Sequence, residues 1–242
     1  MSESAAKAHR TVSRVTTILE SVAAHPAGVR LSELAVILDA PKSSVFGLVK
    51  GLVSTGYLIE DSGSYHLGPA LGNLLTAERP NLAEAARPSL EALRDEFDET
   101  AMLSTNAGDS MVYIESAESR QLIRYTAPLR VRRPLYPPSA GKVILAFWPL
   151  RRRDAYLKSV IHEPAKLQAA HRELEQVRSD GVAFNRGETL PDVSAAARPI
   201  VVHDRVVAVI AVAGPTTRIS DRLPAIADAL IEATRSAVVR LS

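Results

Sequence analysis

Cysteine is absent from this 242-residue chain, which removes disulfides, thiolate metal sites and cysteine nucleophiles from consideration. Long apolar runs are missing too. No stretch approaches the ~20 residues that a membrane span needs, and Met1 to Arg10 lacks the apolar segment of a signal peptide. A cytoplasmic chain with no membrane partner is expected. Charge of one sign is not in excess, with a formal net charge of only +2, so whole-chain electrostatics do not announce a nucleic-acid binder. Familiar catalytic signatures are lacking as well: there is no Gly-x-Ser-x-Gly, no P-loop and no Gly-x-Gly-x-x-Gly. The six histidines include no His-Glu-x-x-His pair, and nothing aligns His162, Glu163 and His171 on one helix face. Neither a metal nor a cofactor is expected.

What is present is apolar residue in quantity, 46% of the chain, enough for one large core or two smaller ones. Charge is unevenly spread. Residues 1 to 59 hold six Lys or Arg against four acids, whereas residues 120 to 158 hold ten basic residues against the single acid Asp154. That second bias is open to three readings: an anionic ligand, a subunit contact or a solvated surface.

Periodicity organises the first third. Val12, Val15, Leu19 and Val22 recur at helical spacing until His25-Pro26-Ala27-Gly28 stops the helix. Leu31-Ser32 supplies an N-cap for a short second helix with Leu34, Ala35 and Leu38. Pro41 suits the first position of a third, whose apolar stripe is Val45, Leu48, Val49, Leu52 and Val53. Gly56 to Glu60 and Ser64 to Leu67 flank Asp61-Ser62-Gly63 as two strands and a turn. Three helices and a hairpin make a winged helix-turn-helix, which can present the polar face of its third helix to the major groove. As a pattern alone, such a bundle also serves purposes other than DNA binding.

Beyond a linker helix between Gly68 and Asn81, a helix from Leu82 to Phe97 opens a second domain. Strands follow near Ala101 to Thr105, Met111 to Ser116 and Gln121 to Tyr125. Ser139 caps a helix to Trp148, Leu167 to Arg178 forms another that Asp180-Gly181 ends, and Val193 to Val202 and Val206 to Ala213 are strands before a terminal helix capped by Ser220. The fold class is α+β, with domains at 1–67 and 82–242 and a linker at 68–81. Alternation puts Ala195, Ala197 and Pro199 on one strand face and Ser194, Ala196 and Arg198 on the other.

Ordered fragments run through both halves. Leu31-Ser-Glu-Leu-Ala35, Ala40-Pro-Lys-Ser-Ser-Val45, Leu52 to Leu58 and Tyr65-His-Leu-Gly68 resemble the DNA-binding domain of the IclR (isocitrate lyase regulator) family. Arg133-Pro-Leu-Tyr136, Ser139-Ala-Gly-Lys142, Val177 to Val182, Gly187-Glu188 and Ala213 to Arg218 resemble the same family's carboxy-terminal half, in its order and spacing. The resemblance implies a GAF-like antiparallel sheet domain that binds a small organic acid, a regulator of the repressor type, double-stranded DNA with an inverted repeat as partner, and a homodimer joined through the winged domains, with a tetramer also open.

Site residues follow from the resemblance. Ser32, Lys42, Ser43, Ser44, Phe46, Gly47 and Lys50 are the candidates for DNA contact. Relatives usually carry arginine where this chain has Gly47, so a bidentate guanidinium contact is lost there; close backbone approach and altered operator preference are the two readings of that glycine. Ser139, Ala140 and Gly141 map to the helix start that receives a carboxylate through backbone N–H groups. Asn185, Ala195, Ala211 and Ala213 map to the pocket wall. Relatives that bind small oxo acids tend to have an aspartate, a cysteine and two serines there, and the exchange points to a larger, more apolar acid such as an aromatic carboxylate. Two other classes stay open: a hydrolase built on Ser139 and Lys142 as a Ser-x-x-Lys pair, and an interaction module that no longer binds DNA.

Overall fold

The computed structural model describes residues 9–71 and 82–241. The chain divides into two compact units, Met1–Arg79 and Pro80–Ser242. The expected linker helix falls mainly on residues 72–81, which lie outside the described residues.

In the first unit, α1 (Arg10–Ala24) buries Ile18 and Val22, while Val12, in the first turn, stays 60% exposed; Ile18 takes the place in the stripe that the sequence reading gave to Val12. A two-residue strand β1 (Val29–Arg30) leads into α2 (Leu31–Ile37). The N-cap of α2 is Arg30, not Ser32: the backbone N–H of Arg30 donates to Glu33 Oε2 at 2.7 Å, and Ser32 sits inside the first turn. Helix α3 (Lys42–Ser54), by contrast, starts one residue later than expected. Pro41 is its N-cap with ψ 137, and its carbonyl accepts from the N–H groups of Ser44 and Val45. Val45, Val49 and Leu52 are the buried stripe.

Gly56 ends this helix unit with φ +76, and the Tyr57 N–H reaches back to the Leu52 carbonyl at 2.9 Å, a left-handed close that favours glycine. Strands β2 (Leu58–Asp61) and β3 (Ser64–Leu67) pair antiparallel around Ser62 and Gly63, both at positive φ, the turn that matches strand twist in a two-residue hairpin. β1 pairs with the other edge of β3, making a three-stranded sheet of order β1-β3-β2. Ile18, Leu34, Val45, Val49, Leu58 and Tyr65 share one core, so the outer face of α3 is left to solvent.

The second unit opens with α4 (Leu82–Phe97), then β4 (Thr100–Ala107), β5 (Ser110–Ala117) and a short β6 (Arg132–Pro134). The expected strand Gln121 to Tyr125 does not form. Its backbone is held instead by side-chain hydroxyls, Gln121 N–H donating to Ser119 Oγ and Thr100 Oγ1 donating to the Tyr125 carbonyl, and Leu122 and Ile123 project into solvent. Helices α5 (Ser139–Phe147), α6 (Leu150–Val160) and α7 (Pro164–Asp180) follow; Gly181, at φ 68, ends the last of these. Strands β7 (Ala183–Leu190), β8 (Val193–Val202) and β9 (Arg205–Pro215) complete an antiparallel sheet of order β6-β5-β4-β9-β8-β7. A short α8 (Thr216–Ile219) and a single 3-10 turn precede α9 (Leu223–Leu241). Ser220 does not cap α9; its hydroxyl donates to the Thr216 carbonyl at 2.7 Å.

Two cores lie on opposite faces of this sheet. Ala101, Leu103, Ala196, Ile210 and Val212 pack with Leu90, Leu93, Ile226 and Leu230 of α4 and α9. Met102, Ala195, Ala197, Ala211 and Ala213 belong to the core that contains Val143, Leu145, Leu157 and Leu174 of α5, α6 and α7. The strand alternation expected at 194–199 is the alternation observed.

Candidate functional site

Strand register brings the alanines together. Asn185 of β7 pairs with Ala195 of β8, and Ala195 pairs with Ala213 of β9, so the three form one row across three strands. The next row is Ala183, Ala197, Ala211 and Met102. With no side chain beyond Cβ in most of these positions, little fills the space above the two rows, and a cavity lies between the sheet and the start of α5. Asn185, Ala195, Ala211 and Ala213 line it together with Ser139 and Pro138 at the start of α5.

Ala140 and Gly141 do not line the cavity. Gly141 has a different reason for its lack of a side chain: a Cβ there would come within 2.0 Å of the Leu135 carbonyl oxygen, so glycine is what lets α5 start against that backbone. Ser139 is the first helical residue rather than the cap, since Pro138 is the N-cap and the Ser139 side chain makes no capping bond. The N–H groups of this first turn have no intrahelical carbonyl to meet.

The rest of the wall came from positions that sequence reading did not single out. Met102, Met111, Tyr113 and Tyr125 fill one side, Thr189, Leu190 and Val193 of the β7–β8 hairpin another, and Arg133 of β6 supplies the only charged side chain in the lining. The cavity is compact, about 60 Å³. The space that alanines open is partly taken back by the two methionines and Tyr113, so the site is less roomy than the exchange of polar wall residues implies.

Hydrogen bonding decides what the polar groups can offer. Asn185 Nδ2 donates to the Pro137 carbonyl at 3.2 Å and to Thr189 Oγ1 at 2.7 Å. A carbonyl can only accept, so the amide orientation is fixed and its oxygen is the atom left for a ligand. Thr189, having accepted, keeps its own proton to donate. The Tyr113 phenol is held well above its ordinary pKa, first by burial and then by neighbouring Tyr125, with Arg133 opposing. Tyr113 therefore stays a neutral donor. The Arg133 guanidinium lies 5.7 Å from the centre of the Tyr113 ring, and its Nε is shut off from solvent with no hydrogen-bond partner.

Lys142 lies on the inward side of α5. It is fully buried, and its three donors are committed to Glu173 Oε1 at 2.6 Å, Glu188 Oε2 at 2.8 Å and the Phe184 carbonyl at 2.9 Å. An ammonium held by two carboxylates cannot take a proton from Ser139, so the serine–lysine hydrolase arrangement has no base. Tyr136 donates to the other Glu173 oxygen at 3.2 Å, and its own pKa is pushed up to about 12 by burial and by Glu173. Arg198 does not reach the cavity; its guanidinium is turned toward the Asp180 carbonyl. Among the described residues no group of His, Asp and Glu side chains is placed to hold a metal ion. No helix among them is long and apolar enough to cross a membrane.

On the first unit, Lys42, Ser43, Ser44, Phe46, Gly47 and Lys50 all lie on the exposed side of α3, and Ser32 and Lys42 border one shallow hollow where α2 meets α3. Phe46 is outside the core, 45% exposed, with Lys50 Nζ 5.5 Å from its ring centre. A Cβ at Gly47 would meet nothing within 4 Å, so no protein packing demands glycine there. Lys50 Nζ also lies 3.1 Å from Glu60 on the wing, a partner that sequence reading missed.

Comparison with known proteins covers both units. The family model described as "IclR helix-turn-helix domain" matches residues 11–62, and the one described as "Bacterial transcriptional regulator IclR C-terminal" matches residues 75–239. The HTH-type transcriptional regulator BhcR of Paracoccus denitrificans is 33% identical over 241 residues, spanning 93% of this chain and 85% of that protein. A crystal structure of an IclR-type regulator from a Silicibacter species, 27% identical, superposes with a TM-score of 0.78 over 96% of both chains. An IclR homolog from Microbacterium hydrocarbonoxydans complexed with 4-hydroxybenzoate has a TM-score of 0.75 over 96% of this chain and 98% of that one; at 20% identity, that likeness speaks to fold.

Proposed function

Since the chain belongs to the IclR family of bacterial transcriptional regulators, a DNA-binding group and not an enzyme family, we propose that it is a repressor whose hold on DNA is set by one small organic acid in the cavity beside α5. The observation that carries the ligand half of this reading is the cavity itself. It is apolar on most sides, it has among the described residues one cationic side chain and no carboxylate in its lining, and it meets the start of a helix. Such a site favours a monoanion with a compact apolar body, and an aromatic monocarboxylate answers that description.

For the DNA half, α3 is held by Val45, Val49 and Leu52, which leaves Lys42, Ser43, Ser44, Phe46, Gly47 and Lys50 on the side that would face a duplex. Two such helices in a homodimer would read an inverted repeat, because operator symmetry mirrors protein symmetry. A regulator of the bacterial chromosome works in the cytoplasm. Two measurements made side by side test the class. Retention on immobilised duplex DNA that falls steeply with salt, with no hydrolysis of a generic ester, is the expected outcome. Ester hydrolysis abolished by Ser139→Ala, or no DNA retention at low salt, would overturn it.

A further inference from the structure

We propose that Arg133 is the anion-binding residue of this cavity, and that its guanidinium, rather than the start of α5 alone, makes the effector a monocarboxylate. The inference rests on the effector reading above and names the group that reads the ligand's charge.

Four observations converge on Arg133. It stands on β6 beside Met111 of β5, and both side chains line the cavity. Among the described residues no carboxylate lines that cavity, and Arg133 has no acidic partner within ion-pair distance. Its Nε is inaccessible to water and has no acceptor. Its charge rests over the ring of Tyr113, whose phenol stays neutral.

A buried N–H with neither water nor acceptor is held above its lowest energy, and in the half-buried Arg133 it is the Nε that is in this position. Arg153 of this unit also has a buried Nε without an acceptor, but Glu175 lies 3.8 Å from its terminal nitrogen, and two other arginines show a fuller contrast. Arg218 grips Glu99 with two bonds of 2.6 and 2.9 Å, and Arg152 reaches Asp109 at 3.0 Å. What Arg133 lacks is an acceptor, and the shape that fits it is the planar fork of a carboxylate. One cation and no acid in the wall set the ligand's charge at minus one. The methionines and alanines around it, which offer soft contact and no hydrogen bonds, set the rest of the ligand as a compact aromatic or alicyclic body.

Calorimetric titration of the whole protein with 4-hydroxybenzoate and with 4-hydroxybenzamide tests this. The wild-type chain is expected to bind the acid at least about 10-fold more tightly than the amide. Arg133→Met should weaken the acid by about 10- to 100-fold and leave the amide unchanged. Arg133→Lys should recover part of the difference, because it restores charge without the fork. Thermal melting checks folding of each variant, and Arg133→Gln replaces the methionine variant if that one does not fold. An Arg133→Met protein that keeps the wild-type preference for acid over amide would overturn the role of Arg133 and leave the effector reading standing. Wild-type protein that binds neither compound would count against the effector reading, and the inference would fall with it.

Discussion

Lys50 of α3 and Glu60 of β2 lie 3.1 Å apart, an ion pair that joins the reading helix to the wing. Both side chains are partly exposed, so the pair adds little to folding, about 0–1 kcal/mol. Its consequence is for the proposed DNA contact: if Lys50 meets phosphate, it is neutralised in the free protein by a carboxylate on the same surface. Glu60→Gln is therefore expected to tighten binding to any duplex and to steepen the dependence of log K on log salt by about one unit. Lys50→Ala should do the reverse, flattening the slope by about one unit. Fluorescence anisotropy across a salt series reads both. Unchanged slopes in both variants would mean that this edge of α3 stands clear of the phosphates.

Gly47 lies in the interior of α3 with open space where a side chain would go, and Gly51, one turn later, is the same. Each glycine weakens the helix by about 1 kcal/mol relative to alanine. Gly47→Ala and Gly51→Ala should each raise the urea midpoint by a corresponding amount, with no change in the slope of the transition. A stability gain at Gly47 that comes with lost DNA affinity would assign this glycine to close backbone approach. A gain with affinity kept would assign it to operator preference.

The buried ammonium of Lys142 is asymmetric with its partners, because Glu173 and Glu188 both retain access to solvent while the lysine has none. Removing the carboxylates strands the charge, whereas removing the lysine lets the carboxylates turn to water. Glu173→Gln with Glu188→Gln is accordingly expected to destabilise by about 3–5 kcal/mol, and Lys142→Met by clearly less. Chemical denaturation of the two variants gives the order. The reverse order would mean that the two carboxylates, and not the ammonium, carry the burial penalty.

Much of the fold was legible because periodicity survives in single elements. The stripe of α3, the span of α4 and the alternation in β8 can all be read locally. What failed depends on partners. β1 is two residues long and exists by pairing with β3, so no sequence window holds it. Gln121 to Tyr125 alternates like a strand but has its backbone tied by Ser119 and Thr100. The pocket alanines were legible through the family resemblance. Arg133 was not, since it sits in a run of basic residues, and only the pairing of β6 with β5 brings that one arginine to the cavity.

The row of Asn185, Ala195 and Ala213 makes a separate check on the cavity. Ala213→Leu adds three carbons to a space of about 60 Å³ and should abolish binding of 4-hydroxybenzoate by the full-length protein. DNA affinity without ligand should stay within experimental error, because Ala213 lies in the second unit and no DNA-contact candidate does. Retained acid binding would move the ligand out of this cavity.

The central claim joins a DNA-reading face to an acid-binding cavity in one chain, and protection mapping of the DNA upstream of its own gene, with and without the acid, tests it most directly. The expected result is one protected inverted repeat of two half-sites, with protection altered when an aromatic monocarboxylate that binds the protein is added. Protection that lacks any two-fold repeat, or that is indifferent to an acid shown to bind, would contradict it.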